Sequence, residues 1–213
     1  MYINNQKGET IAAVSDTSIT DLITPKFLEE RLTDINNSDY IVADTNIPTE
    51  SLQFLIDNSI PPLTVDAVST AKAPRIIEAL QLSKKHRLRA LKLNLKEAQA
   101  ATGCDTVEAA ADALTSMGVE QVYITLGSDG VYCSDGNQKV HYDAPITKVV
   151  NTTGAGDAFV AGIIHGWAHE KQNPEYGKFP GCAQVGLLAA QANLISNRTV
   201  NPEAKKYMEK FLK

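Results

Sequence analysis

The chain has 213 residues, enough to bury a core and form one α/β domain. Its formal net charge is −5 and no basic patch stands out, which argues against a nucleic-acid polymer as the main partner. No segment is apolar for long enough to span a bilayer, and residues 1–20 lack a signal-peptide core, so no membrane association is expected. Cys104, Cys133 and Cys182 are scattered without metal-ligand spacing and read as reduced thiols of a cytoplasmic protein.

Residues 2–15 predict a β-hairpin, with Tyr2-Ile3 and Thr10–Val14 flanking the polar turn Asn4–Gly8. Thr24-Pro25 starts a helix, threonine as cap and proline at the first position. Tyr40–Ala43 is a short strand ending at Asp44, and a helix from Thr49 to about Asn58 turns Leu52, Leu55 and Ile56 inward. The alternation repeats: strand Leu63–Val65 ending at Asp66, helix Pro74–Ser83, strand Leu88–Leu93 ending at Asn94. Asp105-Thr-Val-Glu108 has the form of a capping box opening a helix that stops at Gly118, and Val122–Leu126 is the next strand. Strands alternating with helices at this spacing predict a parallel sheet. Thereafter turns at Gly127–Gly130 and Ser134–Gly136 separate strands Val131–Cys133 and Lys139–Tyr142, an antiparallel meander at the sheet edge. A helix from Gly154 onward, a loop over Asn173–Gly181, a helix Ala183–Ile195 and a final helix capped by Asn201-Pro202 close the chain. No linker divides it, so residues 1–213 are expected to form a single domain.

Ligands of parallel open sheets bind past the carboxyl ends of the strands. Asp44, Asp66, Asn94 and Thr125–Gly127 all stand at predicted strand ends and are expected to share one rim. The stretch that organises the chemistry is Val149–His165. An apolar run ends at Val150, and Phe159, Val160, Ile163, Ile164 and Trp167 then recur with helical period. Gly154, Ala155 and Gly156 therefore stand where loop becomes helix, and the unpaired amides and dipole of a first helical turn favour an anion. Asp157 falls at the lip of that anion hole, where a carboxylate could deprotonate a hydroxyl attacking a phosphoryl group. Taken alone, the glycines equally suit a tight turn and Asp157 equally suits the dipole.

The longer string Asn151-Thr-Thr-Gly-Ala-Gly-Asp-Ala-Phe159 resembles the second signature of the PfkB (ribokinase-like) sugar and nucleoside kinases, usually Asp-Thr-Thr-Gly-Ala-Gly-Asp-x-Phe, with a departure at Asn151. The resemblance implies an α/β fold: a mostly parallel ribokinase-like sheet with helices on both faces and antiparallel edge strands. It implies a kinase moving the γ-phosphate of ATP to a primary hydroxyl of a sugar or nucleoside, with Asp157 as base and Gly154, Ala155 and Gly156 as anion hole. Asn94 and Glu97, in Lys92-Leu-Asn-Leu-Lys-Glu97, resemble the family's Asn-x-x-Glu element, which serves Mg2+ and the nucleotide phosphates; by themselves they read as a helix cap and its capping-box partner. Thr125, Gly127, Ser128, Asp129 and Gly130 are similar to the family's nucleotide loop, and by themselves an ordinary turn. Asn151 and Thr153 take the positions that hold a monovalent cation, K+, in several members.

Val65-Asp-Ala-Val-Ser69 with Lys72, Asn94/Glu97 followed by Ala98, and Thr199-Val-Asn-Pro202 are most similar to the pseudouridine kinase branch, which usually has proline where this chain has Ala67. Ribose and adenosine are the alternative acceptors. Family members carry a further N-terminal segment that grips the acceptor, so the fold is expected to be N-terminally incomplete, with residues 1–15 a remnant of the lid hairpin. The competing reading is a nucleotide-binding fragment without catalysis. The hairpin either pairs with a second copy, giving a homodimer, or folds onto its own sheet. No Gly-x-x-x-x-Gly-Lys-Ser/Thr motif is present, no dinucleotide fingerprint fits, and His86, His141, His165 and His169 show no ligand spacing.

Overall fold

The computed structural model describes residues 2–4, 10–13, 16–145 and 147–210. They group into two units, Thr20–Ala144 and Met1–Ile19 with Pro145–Lys213. The chain opens with the expected hairpin: β1 (Tyr2–Asn4) runs antiparallel to β2 (Thr10–Ala13), Tyr2 opposite Ala13. The rest of its turn, residues 5–9, and its end, Val14 and Ser15, lie outside the described residues.

The larger unit begins with α1 (Pro25–Glu29), where Thr24 Oγ1 accepts the Phe27 N–H at 3.2 Å and proline takes the first position. After α2 (Leu32–Asn36) come β3 (Ile41–Asp44), α3 (Thr49–Asn58), β4 (Leu63–Asp66), α4 (Pro74–Leu82) and β5 (Ala90–Asn94). The unit continues with α5 (Leu95–Thr102), α6 (Val107–Ser116), β6 (Val122–Thr125), β7 (Val131–Ser134) and β8 (Lys139–Tyr142). The six strands β3 to β8 lie in one sheet in sequence order; the first four are parallel, the last two antiparallel. Every residue of β4 and the first four of β5 are buried. Such strands are covered on both faces, and the polar residues they bury are Thr64, Asp66 and Lys92. β8 alternates between exposed and half-buried residues, as an edge strand does. Leu52, Ile76, Leu80, Leu91, Leu114 and Ile124 form the centre of the core.

Three boundaries differ from expectation. The strand expected from Leu88 begins at Ala90, and Leu88 makes only an isolated parallel bridge to Val119. At α6 the cap is Thr106, not Asp105: Thr106 Oγ1 accepts the Ala109 N–H at 3.2 Å, which leaves Glu108 one position short of the capping box. The final helix starts after Glu203, because Asn201 Oδ1 accepts the Glu203 N–H at 3.0 Å and forms a turn ahead of the helix instead of capping it.

The other unit contains α7 (Ala155–Ala168), α8 (Pro174–Gly177, within the expected loop), α9 (Cys182–Leu194) and α10 (Ala204–Met208). α7 and α9 touch backbone to backbone. A Cβ on Gly162 would lie 2.7 Å from Gly186 Cα, and one on Gly186 would lie 2.8 Å from the Phe159 ring. Two glycines thus create the slot that Phe159 fills, and Ile163 is wholly buried one turn further on.

Candidate active site

The start of α7 is shaped by Gly154, which caps the helix with φ = +82°. Left-handed backbone strains a side-chain-bearing residue, and here a Cβ would also meet Thr199 O at 2.4 Å. The position is therefore restricted to glycine twice over. Ala155, Gly156 and Asp157 are the first three helical residues, and Gly156 and Asp157 present amides with no intrahelical acceptor. Asp157 is exposed. Two first-turn amides and an accessible carboxylate thus stand within one turn, on the helix the sequence pattern indicated.

Behind that turn is a bracket that sequence reasoning missed. Asn193, on α9 and 2% exposed, donates through Nδ2 to Thr153 O at 2.9 Å and accepts the Asn201 N–H on Oδ1 at 3.2 Å. Asn201 Nδ2 in turn donates to Ala192 O at 2.6 Å. Leu194 O accepts the N–H groups of Val150 (2.8 Å) and Asn151 (3.2 Å), tying the lead-in of the loop to the end of α9. A polar residue inside an apolar helical stretch was the only signal for Asn193. Asn151 Oδ1 accepts the Thr153 N–H at 3.0 Å, so the oxygens expected to serve a monovalent cation, on Asn151 and Thr153, each already accept one N–H.

In the larger unit, the carboxyl ends of the parallel strands bring Asp44, Asp66, Asn94 and Thr125 onto one rim, as expected: Asp44 stands opposite Asp66, and Asn94 opposite Thr125. Asn94 and Glu97 form a complete capping box. Asn94 Oδ1 accepts the Glu97 N–H at 2.9 Å, and Glu97 Oε2 accepts the Asn94 N–H at 2.8 Å. Beside it Lys92 Nζ donates to both carboxylate oxygens of Asp66 at 3.2 Å, with both side chains nearly excluded from solvent. Burial holds the Glu97 carboxyl above its ordinary range; the Asn94 N–H and Lys92 oppose that shift and Asp66 adds to it. Asp66 Oδ1 also accepts the Val68 N–H at 3.2 Å, where Val68 holds φ = +60°, an uncommon conformation for a β-branched residue. Lys72 Nζ donates to Asn46 Oδ1 at 2.6 Å. Lys92–Asp66 and Asn94–Glu97 are thus two hydrogen-bonded pairs, and the charges of the first act on the Glu97 carboxyl of the second.

The expected nucleotide loop follows β6. Thr125 Oγ1 donates to Leu93 O at 3.3 Å, Gly127–Asp129 form a single tight turn, and Gly127, Ser128 and Asp129 are exposed. Gly130 is buried with φ = +97°, where a Cβ would meet Tyr142 O at 1.9 Å. His141 Nε2 donates to Asp129 O at 2.6 Å, a link across the meander that its sequence position did not suggest.

The sequence matches the pfkB family of carbohydrate kinases over residues 1–203. The chain belongs to that family. It is 33% identical over 194 residues to the pseudouridine kinase of Escherichia coli K12, covering 87% of this chain and 60% of the relative. Among solved structures, a carbohydrate kinase from Agrobacterium tumefaciens superposes with a TM-score of 0.75 at 26% identity, covering 99% of this chain and 66% of that one. The ribokinase of Thermotoga maritima superposes equally well at 22% identity, covering 97% of this pfkB chain and 67% of that one. The fold is therefore ribokinase-like, and the chain spans about three-fifths of the curated relative's length.

Among the described residues no group of three or more His, Cys, Asp and Glu side chains could hold a metal ion. Glu97 is 4% exposed, and Glu97 Oε2 and Asn94 Oδ1 each already accept one N–H. No helix of the described residues is long and apolar enough to cross a membrane.

Proposed function

We propose that this pfkB chain belongs to an ATP-dependent kinase whose acceptor is the primary hydroxyl of a sugar or nucleoside, pseudouridine first and ribose or adenosine next. The observation that carries the reading is the Gly154-capped turn of α7, with amides of Gly156 and Asp157 and an exposed carboxylate in the same turn. The amides of Gly156 and Asp157, on the turn that Gly154 shapes, stabilise the charge of the migrating phosphoryl group, whereas the Ala155 N–H donates to Thr152 O at 3.3 Å; Asp157 accepts the proton of the attacking hydroxyl. Gly127, Ser128 and Asp129 offer exposed backbone to the nucleotide, and Thr125 stands at the strand end beside Asn94. Asn94 and Glu97 supply oxygen atoms to the magnesium–phosphate end. Mg2+, when bound, neutralises charge on the phosphate oxygens. Pseudouridine as first acceptor is supported by the identity with the Escherichia coli enzyme and by Val65–Ser69, Lys72 and Thr199–Pro202.

A second reading has this chain bind nucleotide without transferring phosphate. One experiment separates the two. The wild-type chain and Asp157→Asn are assayed with ATP and Mg2+ against pseudouridine, ribose and adenosine, with nucleotide binding followed by calorimetry. The kinase reading expects product with wild type and a drop in turnover of roughly 100- to 10,000-fold in Asp157→Asn with nucleotide affinity kept. Nucleotide binding with no product on any acceptor supports the second reading. Equal turnover in the variant removes Asp157 as the base.

A further inference from the structure

The far end of α7 borders a cavity of about 290 Å³, walled also by α8, α9 and α10 and lying wholly within the unit that holds Asp157. None of the residues assigned to phosphoryl transfer lines it. His165 lies roughly 12 Å along the helix axis from Asp157 at ~1.5 Å per residue. The floor is apolar and buried, made by Val185 and Met208. The walls are rich in nitrogen bases, His165, His169 and Lys205, and among the described residues Glu209 is the only carboxylate lining it.

The two imidazoles are stacked with ring centroids 4.2 Å apart. His169 Nδ1 lies 2.8 Å from His165 O. A carbonyl only accepts, so Nδ1 carries a proton, and Nε2 is left as the basic nitrogen of the neutral ring. Burial lowers the pKa of His165, and His169 and Lys205 push it the same way, against Glu209. The facing groups are thus His169 on its own helix, Lys205 and Glu209 from the α10 side, and the Tyr176 phenol from α8; α9 contributes only apolar Val185. With the imidazoles neutral, Lys205 and Glu209 balance, and a proton taken up by His165 leaves a positive charge without a counter-charge beside the buried apolar floor. A metal ion does not supply the match, since the described residues offer no set of three ligands.

We propose that this cavity binds a small organic anion, its acidic head between His165, His169 and Lys205 and its apolar body on Val185 and Met208. Its size is near the lower end of the ~300–1,000 Å³ typical of small-molecule sites, which suits a compact ligand. The anion supplies a counter-charge for the protonated form of His165 and so favours that form. Binding takes up a proton and tightens as the pH falls. This site is independent of the kinase reading and survives if that reading fails.

The test is a proton NMR titration of the full chain at pH 6 and pH 8, following the Cε1–H resonances of His165 and His169. The probes are benzoate and methyl phosphate, with sodium chloride of matched ionic strength as control. Saturable shifts of both histidines with either probe, tighter at pH 6 and weakened at least about fivefold in Lys205→Met, are the expected result, and the more effective probe identifies the head group. Lys205 is exposed, so its substitution leaves the fold intact. Absence of saturable shifts, equal shifts with sodium chloride, or undiminished binding in Lys205→Met overturns the proposal.

Discussion

Replacing Lys92 with methionine tests the claim that the rim of the larger unit depends on a buried charge pair. The ammonium donates to both oxygens of Asp66 at 3.2 Å, and the two side chains are only 9% and 12% exposed. Methionine matches the stem but removes the charge, leaving the Asp66 carboxylate buried without its counter-ion. Breaking such a pair from one side costs about 3–5 kcal/mol. In a chain of this length each kcal/mol moves the midpoint of thermal unfolding by about 2–4 °C, so Lys92→Met should melt about 6–20 °C lower. The double variant Lys92→Met/Asp66→Asn removes both charges and should regain most of the loss, so that in a double-mutant cycle it costs far less than the two single substitutions added together. Unfolding is best followed by far-ultraviolet circular dichroism. The single tryptophan, Trp167, lies in the other unit and reports on that unit instead. A loss below about 1 kcal/mol in Lys92→Met, or strictly additive single substitutions, would refute the reasoning.

Three further outcomes are expected. Glu97 has its carboxyl pKa raised by burial, so its ionisation costs stability: the favourable contribution is present below the unfolded-state pKa and is lost as pH rises through the higher folded-state value. Glu97→Gln keeps a side-chain acceptor for the Asn94 N–H and should flatten that fall in urea unfolding across mildly acidic pH; an unchanged pH profile counts against it. Asn193→Ala leaves Thr153 O and the Asn201 N–H without their partner and should cost about 1–3 kcal/mol, while Asn193→Asp sets a carboxylate against Thr153 O and should be worse at neutral pH, recovering in acid, as thermal melts would reveal. Gly154→Ala should lose at least about 1–2 kcal/mol from its left-handed backbone alone, before any contact with Thr199 O, and a wild-type melting temperature would contradict the capping geometry.

Elements whose signals are local were legible in the chain. α3 begins at Thr49 and ends at Asn58 as its apolar period requires, and Gly154 to Asp157 stand at a helix start as the change of pattern at Val150 implied. The rim residues followed from strand ends, since alternation of strands and helices fixes which end of each parallel strand faces the same way. Where two adjacent residues could each cap a helix, as Asp105 and Thr106 could, composition did not choose; the hydroxyl of Thr106 won by reaching the Ala109 amide. What stayed hidden was long-range pairing. Asn193 meets Thr153 across 40 residues, and Lys92 meets Asp66 across 26, and neither spacing leaves a periodic mark.

The slot that Gly186 opens for Phe159 has a mechanical consequence. Because α7 and α9 meet main chain against main chain, neither can slip or roll past the other without driving an aromatic ring into a backbone. The pair therefore travels as one rigid strut, and the Asn193 bracket makes the turn bearing Asp157 part of it. Sequence variants that loosen this strut should displace the turn bearing Asp157 well before they unfold the protein.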